Sequence, residues 1–312
     1  MSDFEAILSA YEQSGGDPHL LQSAEVASLV INGNEVLGTN ELPGIHMISH
    51  PLADGVEAHL TVDAGTQVEQ PVHLCFGVVA SEGVQRILAS FDIGEGASVS
   101  FIAHCTFPHA INVQHIMQGD IHVGPHASMS YKETHYHGEG GGTQVLPTAN
   151  VIVDQGGRYA SEFNLSKGRA GRIDFDYVVD VAAGGVAELS AKAMGYGDDD
   201  ITVRETIRLN GEGARGLAKS RIAVRQRAKS QVFSTTEGNA PFCKGHVDCV
   251  EIVRDQALAS AVPIVRVSDP RAQVTHEAAI GTVDKKELET LMARGLDEER
   301  AVDVIVRGML GD

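Results

Sequence analysis

The sequence IGEGASVSFIAH at 93–104 is followed by VGPHASMSYKETH at 123–135 and by VDQGGRYASEFNL at 153–165. Each stretch opens with a glycine-bearing corner and continues with residues that alternate between two faces, which is the pattern of a half-buried strand. Related stretches lie on both sides, at 62–74, 181–192 and 209–220. The corners recur about every 29–31 residues, so the sequence predicts stacked copies of one β unit.

A fixed period of this length is typical of repeat proteins, in which each unit buries its apolar face against its neighbours. No unit carries a helix-length pattern of 3.6 residues, and a propeller blade needs four strands and a longer repeat. Two strands per unit favour a mainly β chain with a parallel β-helix (β-solenoid) core. A two-sheet sandwich is the alternative, because alternation alone does not determine which strands pair.

Helix and hairpin signals precede the repeats. Ser2 and Glu5 have capping-box spacing at the start of a short apolar helix face. The dipeptide Asp17-Pro18 predicts the start of a second short helix. Asn32-Gly33, between two strand-like runs, predicts a β-hairpin.

After residue 281 the pattern becomes helical again. Asp284 and Asp297 each precede an apolar stripe, and Gly295 lies between the two stripes as a helix stop. These signals predict a C-terminal helical hairpin. The expected division of the chain is an N-terminal helical and hairpin segment at 1–50, a β-helix core at 51–281 and a helical hairpin at 282–312.

The composition excludes several classes of protein. A net charge of −18 opposes binding to nucleic acid and to anionic membranes. No stretch is apolar for long enough to span a bilayer, and the N-terminus lacks the basic region of a signal peptide. The four cysteines are too sparse for a disulfide framework, so we expect reduced thiols and a cytoplasmic protein. No nucleotide-binding loop or nucleophile elbow is found, so the chain is not expected to bind nucleotide or to be an enzyme.

One candidate site combines Cys249 with the adjacent His276 and Glu277. Thiolate, imidazole and carboxylate are the side chains that bind iron or zinc in proteins. Neighbouring residues of a regular strand face opposite sides, so His276 and Glu277 are not expected to point the same way. Spacing alone also fits a buried cysteine and a core histidine without a metal.

Two further groups of residues contain several histidines. His135 and His137 share one face of a strand, and with Glu139 they resemble the metal motif of cupin-type enzymes, although the downstream part of that motif is missing. The alternative is exposed histidines ahead of a glycine-rich loop. A second group follows no zinc or haem spacing and is interpreted as structural: His104, Cys105, His109, His115 and His122.

The C-terminal third resembles the SufB/SufD family, the scaffold proteins of the SUF system of iron–sulfur cluster assembly. The matching runs are HVDCVEIV at 246–253, P-x-V-x-V at 263–267, AQVTHEAAIG at 272–281 and ELETLMARGLDEERAVDVIVRGM at 287–309. The chain is shorter than most SufB or SufD proteins and lacks their long N-terminal region. It is similar in this respect to compact, minimal SufB-like members.

The resemblance implies a right-handed parallel β-helix that pairs with a second subunit, as a homodimer or as a heterodimer with a SufB/SufD paralogue. It implies that Cys249 and Glu277, with His276 beside them, take part in assembling a transient iron–sulfur cluster near the subunit interface. A SufD-like structural role without a cluster is the alternative. The resemblance also implies a SufC-like ABC ATPase as partner, docked on the C-terminal helices; the candidate contact residues are Leu288, Leu291, Met292, Arg294, Val302 and Ile305.

Overall fold

The computed structural model describes residues 2–311. Within these residues, three α-helices lie towards the two ends of the chain: α1 (Asp3–Gln13), α2 (Lys285–Ala293) and α3 (Glu298–Leu310). Between them run nineteen strands: β1 (Ser28–Asn32), β2 (Glu35–Asn40), β3 (Ile45–Leu52), β4 (Gly55–Val62), β5 (Val72–Gly77), β6 (Glu82–Ile93), β7 (Ser98–Phe107), β8 (Asn112–Val123), β9 (Ser128–His137), β10 (Thr143–Val153), β11 (Arg158–Lys167), β12 (Arg172–Val181), β13 (Val186–Gly195), β14 (Asp200–Leu209), β15 (Arg215–Val224), β16 (Lys229–Gly238), β17 (Lys244–Val253), β18 (Leu258–Val267) and β19 (Gln273–Gly281).

The strands form two sheets that face each other. Sheet A has the order β19-β17-β15-β13-β11-β9-β7-β5-β1-β2, and sheet B has the order β18-β16-β14-β12-β10-β8-β6-β4-β3. From β4 onward, successive strands enter alternate sheets, and each strand pairs in parallel with the strand two places later. Parallel pairing along a single winding chain is the arrangement of a parallel β-helix. The predicted fold is confirmed, and the sandwich alternative is wrong.

Each turn of the β-helix contains about 29–31 residues, which is the period of the glycine-bearing corners in the sequence. Ser128 on β9 is paired with Arg158 on β11, and Arg215 on β15 is paired with Lys244 on β17. Because the register repeats with little change, side chains of the same type stack from one turn to the next. Positions on the inner face are buried and most of them are apolar, whereas their neighbours on the outer face are more exposed.

The corners explain the spacing of the glycines. Gly96 and Gly156 have φ angles of +67° and +69°, a region that glycine adopts without a steric penalty. The equivalent position in the intervening turn is His126, with φ +57°. Histidine is among the few other residues enriched in this conformation, so the repeat continues through a turn in which the expected corner glycine is replaced.

Aromatic rings fill the interior. The rings of Phe91 and Phe101 meet edge to face with 5.2 Å between centroids, and Phe175 stacks on Tyr177 at 3.9 Å. These side chains are all nearly inaccessible to solvent. Paired aromatic rings of this kind add to the free energy gained by removing apolar surface from water.

The N-terminal signals are confirmed in part. Ser2 and Glu5 form the predicted capping box at the start of α1, and β1 and β2 form an antiparallel pair around Asn32-Gly33. The second predicted helix is wrong, because only a single 3₁₀ turn forms, at Leu20–Gln22. Four residues separate that turn from the stop at Gly15, and five more separate it from β1, which begins at Ser28, so too little chain is left for a stable helix.

The C-terminal helices form as predicted, and α3 is attached to the β-helix. The side chain of Asp284 accepts hydrogen bonds at the start of α2, and Asp297 does the same for α3. Val302, Val306 and Leu310 are buried in a cluster with Ala223 of β15. One face of the helical hairpin is therefore used within the chain. In the described part of the chain, no helix is both long and apolar enough to cross a membrane.

The end of the β-helix formed by β18 and β19 is open. Val265 and Val267 on β18, and Ile280 on β19, are 37%, 50% and 47% exposed. Their register partners on β16 and β17, by contrast, are largely buried. The last turn thus exposes apolar side chains that every other turn covers with its neighbour.

Candidate functional site

Cys249 lies one strand away from the open end of sheet A. On β17 the inner-face positions alternate with outer-face positions, and Cys249 is on the inner face with no exposed surface. In the register of β17 and β19, the partner of Cys249 is Ala278. At this position of the inner face, only the small side chain of Ala278 therefore separates the thiol of Cys249 from the open end.

His276 shares the inner face with Cys249. Val274 of β19 contacts Gly245 on the inner face of β17, since a Cβ added at Gly245 would lie 3.3 Å from Val274 Cγ1. Two residues further along, His276 is paired with Val247, which is also on the inner face. In the described structure His276 is exposed, because β19 is the last strand of sheet A.

Glu277 lies on the opposite, outer face. Its register partner is Asp248, and the neighbouring outer-face pair is joined by a hydrogen bond of 2.8 Å between His246 Nδ1 and Thr275 Oγ1. Within one chain, the structure therefore brings His276 to the face of Cys249 and does not bring Glu277 there. His276 and Glu277 thus face opposite sides, as expected for neighbours on a strand, and the one on the face of Cys249 is His276.

Asp248 was missed by the sequence reasoning. It accepts two hydrogen bonds from the guanidinium of Arg221 on the preceding strand of the sheet, with distances of 3.0 and 2.5 Å. The hydrogen bonds and charge of Arg221 hold the pKa of Asp248 below its ordinary value. Asp248 and Glu277 therefore form a carboxylate pair on the outer face beside the open end.

A polar layer surrounds Cys249 inside the β-helix. The thiol lies 3.8 Å from Ser234 Oγ, and Ser234 in turn donates a hydrogen bond of 3.4 Å to Glu205. Burial raises the pKa of Cys249, and the neighbouring hydroxyl groups of Ser220 and Ser234 partly offset this effect. Burial also raises the pKa of Glu205 to about 8. A protonated thiol and a protonated carboxyl group are thus favoured in this layer near neutral pH.

A second carboxylate lines the same interior. Glu251, two residues beyond Cys249 on the same face, accepts a hydrogen bond from Ser230, and burial raises its pKa. One carboxylate oxygen of Glu251 and one of Glu205 have no hydrogen-bond partner, nor do the hydroxyl groups of Ser220 and Thr236. Buried polar atoms usually find partners, so these unsatisfied atoms show that the interior around Cys249 is partly polar.

The cupin-like arrangement does not form. His135 and His137 do share the inner face, and both are buried, with His135 Nδ1 3.2 Å from His137 Nε2. Glu139 lies outside the β-helix in a loop, where it accepts a hydrogen bond from the Tyr196 hydroxyl. The carboxylate that meets His135 is Glu133, two residues earlier on the same strand face.

The remaining histidines separate into different environments. His109 is exposed, and His122 bridges Asp92 and Asp154 on the outer face with two contacts of 2.9 Å. His104 accepts or donates a 2.6 Å hydrogen bond with Ser14 at the end of α1, which agrees with a structural role. Cys105 and His115, however, both point into the interior beside Glu133.

The helical hairpin offers only some of the predicted contact residues to a partner. Val302 is 7% exposed and packs on the β-helix, and Leu288 contributes to the same cluster. Leu291 and Ile305 line a groove between α2 and α3, and Met292 is 42% exposed. Arg294, at the C-terminal end of α2, is also exposed. The face available for docking is therefore smaller than the apolar pattern predicted.

Comparison with known proteins gives a consistent result. The protein-family model described as "SUF system FeS cluster assembly, SufBD core domain" matches residues 81–309. An iron–sulfur cluster assembly SufBD family protein of Methanocaldococcus jannaschii is 37% identical over 306 residues, which cover 98% of this chain and 97% of that protein.

Two further relatives carry the same description. One from Pyrococcus horikoshii is 33% identical over 312 residues, which cover 100% of this chain and 95% of that protein. One from Archaeoglobus fulgidus is 25% identical over 262 residues, which cover 79% of this chain and 66% of that protein. The first two relatives are thus similar to this chain over nearly their whole length.

Proposed function

Since this chain belongs to the SufBD family of iron–sulfur cluster assembly proteins, we propose that it is a scaffold on which a transient iron–sulfur cluster is built and then handed on. The cluster is the cargo of this scaffold. The observation that carries the proposal is the position of Cys249 and His276 on one inner face, at an end of the β-helix that the described residues leave open.

The donor atoms at this end suit a cargo that must leave again. Thiolate and imidazole bind iron well, whereas carboxylates bind it more weakly. Among the described residues, one chain supplies a single thiol here, because the other cysteine in these turns, Cys243, lies just before the strand that carries Cys249 and is buried at the corner. A cluster held by one thiol, an imidazole and carboxylates is less tightly bound than one held by four thiolates.

Iron must displace a proton from Cys249. Burial raises the pKa of this thiol, so iron binding releases the proton and becomes more favourable as pH rises. Glu205 and Glu251 lie close enough to influence the thiol electrostatically. Because burial raises the pKa of Glu205 to about 8, this carboxyl group can accept the Cys249 proton only at a pH high enough to ionise it.

A second subunit is the expected cover for the open end. The exposed apolar residues Val265, Val267 and Ile280 belong to a turn with unpaired strand edges, which favours association with another β surface. We propose a homodimer, or a heterodimer with a paralogue, joined at this end. The carboxylates of Asp248 and Glu277 on the outer face would then meet the partner's surface beside the cluster.

A SufC-like ATPase is the proposed partner of the helical hairpin. The groove between α2 and α3 combines the apolar side chains of Leu291 and Ile305 with the charged Lys286 and Glu287. Because α3 is packed on β15 through Val302 and Val306, movement of a docked ATPase would be transmitted to the turns that carry Cys249. ATP hydrolysis in the partner would in this way open the cluster site.

Anaerobic reconstitution with ferrous iron and sulfide tests the cluster site. The wild-type protein is expected to develop the visible charge-transfer absorbance of an iron–sulfur cluster, and Cys249→Ser and Glu277→Ala are expected to reduce it. Cys75→Ser, which removes an equally buried thiol far from the open end, is the matched control. Equal absorbance in the wild type and both site variants would show that the proposed site is wrong. Binding of the ATPase without any cluster would instead favour the SufD-like role.

The docking proposal is tested by binding of a SufC-like ATPase to hairpin variants. Met292→Asp places a charge on an exposed residue of α2 and is expected to weaken binding at least about tenfold. Val304→Asp, on an equally exposed position of α3 outside the proposed contact set, is the control. Unchanged binding by Met292→Asp would contradict this docking face.

A further inference from the structure

Cys105, His115 and Glu133 converge inside the β-helix, far along the chain from the open end. One ligand atom from each residue lies within 4.8 Å of the other two, and all three side chains are buried. Cys105 and Glu133 come from the adjacent strands β7 and β9 of sheet A, and His115 comes from β8 in sheet B. The two sheets therefore present one set of donor atoms to each other.

The hydrogen bonds of His115 fix which nitrogen is free. Gln85 directs its side-chain NH₂ group at the backbone carbonyls of Gly33 and Gly77, with distances of 2.8 and 3.0 Å. Its carbonyl oxygen must then face His115 Nδ1, at 2.9 Å, and accept a hydrogen bond from it. The proton of the neutral imidazole is thus on Nδ1, and burial keeps the ring neutral because it lowers the pKa of His115 to about 3.

The other nitrogen of His115 carries a lone pair directed into the cluster. His115 Nε2 is fully buried and has no hydrogen-bond partner. Leaving such an atom unsatisfied is costly. An imidazole whose outer nitrogen donates to a fixed carbonyl and whose inner nitrogen is free is the arrangement that metal-binding histidines adopt.

Glu133 is held in place by its neighbours. The Cys105 thiol lies 3.5 Å from Glu133 Oε1, and His135 Nε2 contacts the same oxygen. Burial would raise the pKa of Glu133, but the hydrogen bond and positive charge of His135 outweigh this effect and lower it. A buried carboxylate with a thiol at its side is therefore available to a cation.

A second hydrogen-bond chain orients His135. His137 donates from Nδ1 to the carbonyl of Arg169 at 2.9 Å, so its Nε2 accepts from His135 Nδ1 at 3.2 Å. His135 Nε2 is then left to share one proton with Glu133. Aromatic rings enclose the group, with Phe107 5.1 Å from the His115 ring and Phe163 4.7 Å from the His135 ring. Such a shell excludes water and strengthens a metal–ligand bond.

We propose that Cys105, His115 and Glu133 form an internal binding site for one borderline divalent cation such as Zn²⁺ or Fe²⁺, with His135 as the hydrogen-bonding partner of Glu133. A thiolate, an imidazole and a carboxylate are the ligands that these ions prefer. In a tetrahedral site with bonds of about 2.0–2.3 Å, ligand atoms lie about 3.3–3.8 Å apart. The set needs only a small contraction, which side-chain rotation supplies.

The cation brings two positive charges into the site, and the thiolate of Cys105 and the carboxylate of Glu133 supply two negative charges. The proton that His135 shares with Glu133 gives the group one net positive charge while that proton is retained. The Cys105 proton leaves to solvent on binding, and burial, together with the charge of Glu133, raises the pKa of this thiol well above its ordinary value. Uptake of the ion is therefore favoured by higher pH.

The test is metal content of protein produced in medium supplemented with zinc, iron or cobalt and then dialysed against a chelator. One ion per chain is expected in the wild type, and at least about tenfold less in Cys105→Ala and in Glu133→Gln. Cys75→Ala and Glu205→Gln are matched controls, because they alter a buried thiol and a buried carboxyl group elsewhere. Both controls, and Cys249→Ser, are expected to retain the ion.

The absorption spectrum of cobalt bound to the wild-type protein is a second measurement, and its result does not depend on whether any variant folds. Cobalt bound in the wild type by one thiolate is expected to give a thiolate-to-metal charge-transfer band and the visible bands of a tetrahedral ion. A wild-type protein without bound metal, a cobalt spectrum without the thiolate band, or full retention of metal by Cys105→Ala would overturn the proposal. Because Cys249→Ser impairs only the cluster site at the open end, failure of one site is distinguishable from failure of the other.

Discussion

At the scale of single residues, the register of β17 and β19 decides what the open end can do. Cys249 and Asp248 are neighbours in sequence but lie on opposite faces, so a shift of one residue exchanges a thiol for a carboxylate. The observed register pairs Asp248 with Glu277 and sets His276 on the face of Cys249. Cluster chemistry that uses both Cys249 and Glu277 therefore requires a path around the edge of the last strand, or a second subunit.

Glu205 provides a pH-dependent test of the polar layer. Its pKa in the folded protein is about 8, above the value of about 4.3 for an exposed glutamate. The folded state therefore holds a proton that the unfolded state has lost, and this stabilisation is complete below about pH 4 and disappears as pH rises through about 8. In that range Glu205 is expected to lower the free energy of unfolding by about 1.4 kcal/mol per pH unit.

The measurement is denaturant unfolding between pH 5 and pH 9 for the wild type and Glu205→Gln. The neutral glutamine is expected to remove the slope contributed by residue 205, so that the difference between the two proteins grows with pH. Glu188→Gln, at an exposed position on β13, is expected to leave the slope unchanged. Parallel pH profiles for the wild type and Glu205→Gln would show that Glu205 is ionised throughout.

Much of this residue-scale geometry is contained in the period of the repeat. Adding about 30 to Cys105 gives His135, and adding 30 to Gln85 gives His115, which are the observed register pairs. The donor set of Cys105, His115 and Glu133 was missed because linear spacing rules for metals do not apply when strands stack. Strand alternation also predicts that His276 and Glu277 face opposite sides. Because the period varies between 29 and 31 residues, however, it does not tell which of the two shares the face of Cys249.

At the scale of elements, glycine is required at the corners for two different reasons, a positive φ angle and a close approach of backbone atoms. Gly96 and Gly168 both have positive φ, +67° and +80°. A Cβ at Gly96 would meet nothing within 4 Å, whereas a Cβ at Gly168 would lie 1.7 Å from the backbone oxygen of His137. We expect Gly96→Ala to cost about 1–2 kcal/mol, from the strained φ alone, and Gly168→Ala to cost at least twice as much.

Thermal or denaturant unfolding of the two glycine variants compares these costs directly. The backbone of His137 is fixed by sheet pairing, so it has no inexpensive way to move aside. Equal destabilisation by both substitutions would contradict the close approach at Gly168. A larger loss for Gly168→Ala would support the packing of that corner against the strand that carries His135 and His137.

The attachment of α3 is a second test at this scale. Val306 is 7% exposed against the β-helix, whereas Val304 on the same helix is 48% exposed. Val306→Ala is expected to weaken docking of α3 by about 1–3 kcal/mol, because it removes buried apolar surface, and Val304→Ala by less than about 0.5 kcal/mol. Hydrogen exchange of the α3 amides reports the difference as faster local opening in Val306→Ala. Equal exchange in both variants would show that α3 is not held by this contact.

Helix caps and turn dipeptides predicted elements correctly where the rest of the fold did not constrain the same residues. The cap at Asp284 and the hairpin at Asn32-Gly33 were read correctly, because each depends on a few neighbouring residues. The helix expected after Asp17-Pro18 failed because the chain must reach β1 within a few residues. The burial of Val302 was not predictable, since an amphipathic helix shows that it has an apolar face and not what covers it.

At the scale of the whole molecule, the open end makes the β-helix incomplete. Solenoid repeats need a cap at each end, and at the N-terminal end of sheet A the strand β1 is continued by the antiparallel strand β2. The other end exposes Val267 and Ile280. The sequence predicted the repeat that makes an open end possible, but the resemblance to the SufB/SufD family was needed to expect a second subunit there.

The expected second subunit is tested by sedimentation of end-surface variants. Val267→Asp places a charge in the exposed apolar surface and is expected to convert a dimer into a monomer at micromolar concentration. Ile152→Asp, on the outer face of β10 and 55% exposed, is the matched control and should remain dimeric. A Val267→Asp protein that keeps the mass of the wild-type dimer would place the interface elsewhere.

The claim that this chain builds a cluster in order to pass it on is tested most directly by transfer. Wild-type protein is reconstituted anaerobically, freed of unbound iron and sulfide, and mixed with the cluster-free form of an iron–sulfur enzyme, and both the enzyme activity and the absorbance of each protein are followed. We predict that the enzyme gains activity while the scaffold loses its cluster absorbance, and that Cys249→Ser protein treated in the same way transfers nothing. A cluster that stays on the wild-type protein, or equal activation of the enzyme by Cys249→Ser protein, would contradict the account.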